Sequence, residues 1–375
     1  MIGLAWLLVI PIGLIGLEIA LRIGWYNPHH FYVRTPGTLI IRDNSSSGLR
    51  GASLRPVIAT NKLGLRGGLP GRAKVRMLAV GGSTTECALL DHHKTWPHQL
   101  QVKSSRAWVG NAGKAGNNCH HHLVALQKIL PQLPKLDRVL ILPGLTDMLF
   151  DFQIHYPAGL GKDWIEHEAF RYRPAQKQGM WRFWTPHFLR HVFNGIAGRY
   201  PPGYRVSTSP KISDYKIRRG RVKADDFITE VPNMDLALAA FRKNLTALCD
   251  LIARHGAVPI LLTHPSIWHA NASDEVNGQL YAGGIGSPDT WDENPNTKWY
   301  AADTLARMLK AYNDAVLALC RDLDIQCIDL EAATPKTPAL FVDDFHFSEA
   351  GAEFVASVIA RDIGQPCHGN AMMKS

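Results

Sequence analysis

Apolar residues run almost unbroken from Met1 to Leu17, and the first charged side chains, Glu18 and Arg22, stand four positions apart. A helix from Met1 to about Ile23 would be roughly 35 Å long at 1.5 Å per residue, enough to cross a hydrocarbon core. Trp25 and Tyr26 follow where interfacial aromatics are expected. With no basic n-region and no small-residue cleavage site, an uncleaved membrane anchor over residues 1–24 is favoured over a signal peptide. Residues 25–74 are polar, contain Gly and Pro, and read as an extended arm. From residue 75 the pattern alternates between short apolar runs and amphipathic stretches. Strands are expected at Val75–Val80, Trp108–Asn111, Arg138–Leu142, Val258–Leu262 and Ile325–Leu330. Helices are expected at Thr95–Lys103, His120–Leu130, Asp235–His255 and Ala301–Asp322, and a last one opens at Ser348, which reads as its N-cap. This alternation predicts an α/β fold with a mostly parallel sheet over residues 75–365. Residues 151–234 interrupt it as an aromatic, proline-containing insertion, and residues 366–375 form a tail.

Charge sharpens that division. The chain carries a formal +9, yet between Arg171 and Lys223 there are thirteen Lys/Arg and one acidic residue, Asp214, a local balance of +12 that leaves the rest at −3. The rings and cations of 180–193 suit a surface resting on anionic headgroups, a lid over sugar rings, or a solvated structural cap. No nucleic-acid recognition motif is present, and nucleic acid is not expected as a partner. The basic residues Arg22, Arg34 and Arg42 follow the apolar run, so the positive-inside rule taken literally would keep the main domain in the cytoplasm. Six cysteines form no CxxC pair; Cys320 and Cys327 suit either a disulfide in an exported domain or two buried thiols. Cys87 and Cys119 allow the same two readings.

Candidate chemistry sits at the strand ends, where ligands bind in open parallel sheets. Gly81-Gly82-Ser83 follows the first strand, Gly113 and Gly116 the second, and Gly144-Leu145-Thr146-Asp147 the third. Small residues there let backbone N–H groups approach a reacting carbonyl. Near the C-terminus, Asp343-Asp344-Phe345-His346 offers an acid and a base three positions apart, which is what a serine needs to become a nucleophile.

In these blocks and their order the chain resembles the SGNH/GDSL hydrolase superfamily, over roughly residues 60–362. Gly81-Gly82-Ser83-Thr84-Thr85 is similar to the GDS block, with Gly82 where many members carry Asp. Asn111–Gly116 is similar to the second block, Gly144–Asp147 to the GxND block, and Asp343–His346 to DxxH. Asn61–Gly67, Thr95-Trp96-Pro97, Leu261–Pro265 and His346–Gly351 also look like a membrane-anchored bacterial branch. The resemblance implies a three-layer α/β/α sandwich, SGNH hydrolase-like, with a roughly five-stranded sheet. It implies Ser83 as nucleophile, His346 as base and Asp343 as orienting acid, with Asp344 the alternative orienter. Oxyanion donors would be the N–H groups of Ser83 and Gly116 together with Thr146. Thr146 departs from the family's Asn, and a shorter, freely rotating hydroxyl should weaken preorganisation.

The implied activity is a serine esterase acting on O-acetyl or other short acyl esters of cell-surface glycans or lipids, with activity falling as the histidine is protonated. An O-acetyltransferase with the same triad and a degenerate glycan-binding protein are the alternatives. The catalytic domain is expected in the periplasm or outside the cell, attached to the membrane by its N-terminal helix and, in one reading, by the basic insertion. No cofactor is expected. No metal is expected either, because the neighbours in His92-His93 and His120-His121-His122 would point in different directions on a helix. Glu86 reads as an exposed carboxylate beside the nucleophile loop.

Overall fold

The structure, a computed structural model, describes residues 2–24, 31–45, 48–152, 183–196, 204–207, 221–222, 224, 226–286 and 296–363. In chain order the strands are β1 (Leu39–Arg42), β2 (Val57–Ala59), β3 (Val75–Gly81), β4 (Ala107–Asn111), β5 (Arg138–Leu142), β6 (Tyr204–Ser207), β7 (Phe227–Ile228), β8 (Val258–Leu262), β9 (Trp299–Tyr300) and β10 (Cys327–Ile328). The helices used below are α1 (Ile2–Gly24), α2 (Ser83–Glu86), α3 (Trp96–Lys103), α4 (Cys119–Ile129), α5 (Leu145–Phe152), α6 (Thr185–Ile196), α7 (Asp235–Arg254), α8 (Ala302–Leu323) and α9 (Glu349–Asp362).

The central sheet has five parallel strands in the order β10-β8-β5-β3-β4. Leu78, Ala79, Val139, Leu140, Ile260 and Leu261 are fully buried, as expected when helices cover both faces and strands read as continuous apolar runs. Chain order fixes the layers. The step from β3 to β4 runs one way along the sheet, and the steps to β5, β8 and β10 run the other way. Right-handed crossovers therefore put α3 on one face and α4, α7 and α8 on the opposite one. The contacts agree: α3 packs on α9, while α4 and α8 pack on α7. This reversal opens a crevice at the carboxyl ends of β3 and β5.

Helix starts follow their caps. Thr95 accepts from the His98 N–H to begin α3, Asn118 and His121 form a capping box on α4, and Ser348 accepts from the Gly351 N–H to begin α9. The strand expected at Ile325–Leu330 shrinks to Cys327–Ile328, because Asp329 caps a new helical turn starting at Leu330. Cys320 and Cys327 form a disulfide joining the end of α8 to β10. Cys87 and Cys119 are buried free thiols, so no bridge links them.

Two findings bear on the N-terminal region. The arm is not merely extended: β1 pairs antiparallel with β2 and parallel with β6. The run from residue 2 is helical as expected, with Pro11 inside it. Among the described residues no helix is long and apolar enough to cross a membrane. Polar chemistry at the end of α1 is committed to the protein itself. Glu18 pairs with Arg22 at 2.9 Å and accepts from the Trp184 and Thr185 N–H groups and the Thr185 hydroxyl, capping α6. Most of the 151–234 insertion and the 366–375 tail lie outside the described residues.

Candidate active site

Strand β3 ends at Gly81, and the chain turns at once into the single helical turn α2 with Ser83 as its first residue. The turn is clamped by close backbone approach. A Cβ on Gly113 would lie 2.3 Å from the Glu86 nitrogen and 2.5 Å from the Thr85 carbonyl carbon, so only glycine lets the loop after β4 lie against α2. The Asn111 amide donates to the Thr85 carbonyl at 2.8 Å, and its oxygen accepts from the Gly113 N–H at 2.8 Å. The Lys114 N–H donates to the Gly81 carbonyl at 3.0 Å.

The DxxH segment reaches Ser83 from the other end of the chain. Its loop is pinned by the Val342 N–H on the His346 carbonyl and by a bridge between Phe341 and Phe347. His346 Nδ1 lies 2.7 Å from Asp343 Oδ2, and Nε2 lies 2.8 Å from Ser83 Oγ. A carboxylate can only accept from Nδ1–H, so Nε2 is left as the acceptor for the serine hydroxyl; the tautomer is assigned from this network. Asp343 is 2% exposed, and burial alone would raise its pKa. His346 and the N–H groups of His346 and Phe345 outweigh burial and hold the carboxyl below the usual carboxylate range. Neighbouring Asp344 does not orient His346. It accepts from Trp268 Nε1 and the Tyr281 and Ala282 N–H groups, and burial followed by the Asp343 charge raises its pKa. Ser83, His346 and Asp343 can thus move a proton off the serine and hold the resulting imidazolium.

Thr146 is the second residue of α5, and its Oγ1 faces Gly82: a Cβ built there would stand 2.7 Å away. Gly82, Thr84, Asn117, Gly144, Thr146 and His264 line a narrow crevice. Gly116 lies in the exposed turn after β4 at φ +78°. That turn is tied to α2 through the Ala115 N–H, which donates to Glu86 at 2.6 Å.

Glu86 departs from its expected exposure. It is buried, not exposed, and pairs with Arg34 at 2.8 Å. Burial works against its charge, yet Arg34 and the Ala115 N–H keep the carboxyl below its usual range. Arg34 also donates to the Gly113 carbonyl. Arg66, only 1% exposed, donates to the carbonyls of Val57, Glu86, Cys87 and Leu90. His264 is a further buried partner: Nδ1 faces the Pro265 carbonyl, so Nε2 accepts from the Thr84 hydroxyl at 2.9 Å. Burial pushes this histidine down to about 3, which keeps it neutral. Sequence reading missed Arg34, Arg66 and Asn117. Nothing in the sequence marks an arginine as buried, although Arg66 lies in the singled-out stretch Asn61–Gly67.

No protein-family model matches the chain, and no curated protein matches it. Among solved structures, a member of the lipolytic G-D-S-L family from Veillonella parvula aligns over 76% of this chain and 97% of its own, at 10% identity and TM-score 0.41. The acetylxylan esterase Axe2 from Geobacillus stearothermophilus aligns over 78% of this chain and 95% of its own, at 15% identity and TM-score 0.41. The chain is thus similar to GDSL-family and acetylxylan-esterase structures.

Proposed function

We propose that the chain is a serine ester hydrolase of the SGNH/GDSL type, and the observation that carries the reading is the continuous Ser83–His346–Asp343 hydrogen-bond chain. As Ser83 Oγ attacks an ester carbonyl carbon, His346 Nε2 takes its proton, and Asp343 stabilises the imidazolium. The carbonyl oxygen becomes an oxyanion facing the Ser83 and Gly116 N–H groups and the Thr146 hydroxyl. Collapse returns the proton from His346 to the departing alcohol and leaves an acyl-enzyme. Water then attacks that acyl carbon with His346 again as base, releasing the acid and free Ser83.

The substrates we propose are O-acetyl or other short acyl esters of cell-surface glycans or lipids. An exported location is supported by the Cys320–Cys327 disulfide, since such bonds persist in oxidising compartments. Contact with a membrane surface is supported by the apolar groove that Leu14, Ile15, Ile19, Phe183 and Leu189 line between α1 and α6. The assembled triad favours a working enzyme over a degenerate binder.

The test is hydrolysis of an aryl acetate by the full chain and by Ser83→Ala, with covalent labelling by a fluorophosphonate read in parallel. Turnover and labelling that both vanish in the variant are expected. Equal turnover in both proteins would remove Ser83 as nucleophile, and absent labelling of the parent would remove the activated serine.

A further inference from the structure

We propose that His92, His93 and His98 form a binding site for a divalent transition-metal ion of the zinc class. The site shares no residue with the triad and does not depend on the esterase reading.

Adjacent histidines diverge on a continuous α-helix, which is why this sequence gives little hint of a site. Here the helix is not continuous. His92 and His93 lie in a single 3-10 turn ending at Lys94, Thr95 is extended, and His98 sits in the first turn of α3, which brings its ring back onto the other two. One ring nitrogen from each residue lies within 4.8 Å of the others. The three ring centroids are 4.8 to 5.1 Å apart. His93 Nδ1 and His98 Nε2 are separated by 3.3 Å. Zinc–imidazole bonds of about 2.0–2.1 Å in a tetrahedron require a nitrogen–nitrogen edge of about 3.3–3.4 Å. That pair therefore already spans a ligand edge.

A plain imidazole–imidazole hydrogen bond would account for His93 and His98 alone. It leaves His92 unexplained, because His92 Nδ1 is buried and makes no hydrogen bond. The backbone of the turn is held in advance of any ion. Asp91 accepts from the His93 N–H, Gln99 donates to the His93 carbonyl, and Thr95 caps α3. His93 is exposed, so a fourth position would open to water. The charged groups acting on the cluster are Arg66, which opposes a cation, and Asp91, which favours one. Arg66 already serves four carbonyl oxygens. An all-imidazole donor set suits zinc, nickel or copper rather than magnesium or calcium. An ion here would fasten the turn to α3. That helix packs on α9, whose cap Ser348 follows His346 by two residues, so the role is a structural clamp.

The experiment titrates the full chain, free of any polyhistidine tag, with cobalt(II) and follows visible absorption; zinc then competes the cobalt away. One saturable site with tetrahedral cobalt bands is expected. His93→Ala and His98→Gln should each weaken binding by roughly tenfold or more, whereas His120→Ala should not. Zinc should raise the melting temperature of the parent and not of the two variants. His93 is exposed, so its variant should fold, and circular dichroism checks this. No saturable binding at a roughly hundredfold metal excess, or binding unchanged in both variants, overturns the site.

Discussion

Gly82 and Thr146 are sterically matched: a side chain at position 82 would begin 2.7 Å from Thr146 Oγ1. The two lie on the βα connections after neighbouring strands of the sheet, β3 and β5, and the structure sets them against one another. A β-branched residue at the start of α5 fills the space that a Cβ after β3 would need. Gly82→Ala should therefore cost about 1–3 kcal/mol, as overpacking does. Thr146→Ala on the same background should restore much of that loss. A double-mutant cycle read by denaturation should return a coupling on the order of 1 kcal/mol. Additive effects would mean that the two positions are independent.

Asp343 and Asp344 are adjacent and equally buried, but only Asp343 touches His346. Asp343→Asn should lower kcat by roughly 10⁴-fold, because an amide cannot hold Nδ1–H in the required tautomer. Asp344→Asn should act mainly on stability, through the Trp268 and Tyr281 contacts, and change kcat by less than about tenfold. Steady-state kinetics on both variants, with melting temperatures alongside, checks the division.

The buried Glu86–Arg34 pair links the arm to the turn after β4. Glu86→Gln leaves Arg34 without its counter-charge, and breaking one side of a buried pair costs about 3–5 kcal/mol. Since Glu86 also holds the Ala115 N–H, the loss in kcat/KM should exceed that of an exposed-charge control such as Glu353→Gln. Equal kinetics in the two variants would confine Glu86 to a purely structural role.

Asp147, beside Thr146, gives a pH dependence with a definite sign. Burial raises its carboxyl to about 6 from 3.8, although the Cys119 and Gly144 N–H groups pull it down. A raised carboxyl means that the folded state holds its proton more tightly than the unfolded chain. Below pH 3.8 both states are protonated and there is no penalty. Between pH 3.8 and about 6 the unfolded chain ionises first, so stability falls as pH rises, by ~3 kcal/mol in all, and then levels off. Asp147→Asn should remove this component. The stability difference between parent and variant, measured at pH 4 and pH 7, should shift against the parent by ~2.4 kcal/mol, since part of the loss is already present at pH 4. A constant difference would mean that Asp147 ionises normally.

The sheet was legible because β3, β5 and β8 are apolar runs that punctuated helices separate. The Ser83–His346–Asp343 hydrogen-bond chain could be anticipated because its residues fall at a strand end and in one short segment. Asp343 and Asp344 could not be told apart from sequence, since their difference lies in Trp268 and Tyr281, more than sixty residues away. Glu86 looked exposed because its partner, Arg34, stands 52 positions earlier in a stretch without clear periodicity. The histidine cluster stayed hidden because the break at Thr95, not residue spacing, brings the rings together.

The hydrogen bond between Ser83 and His346 joins residues 263 positions apart, and this gives the protein an order of assembly during synthesis. Arg34 and Arg66, which brace the nucleophile turn, leave the ribosome before Ser83 does. His346 and Asp343 emerge more than 250 residues after it. A nascent polypeptide can therefore shape the turn around Ser83 before the His346 and Asp343 that complete its hydrogen-bond chain have been made.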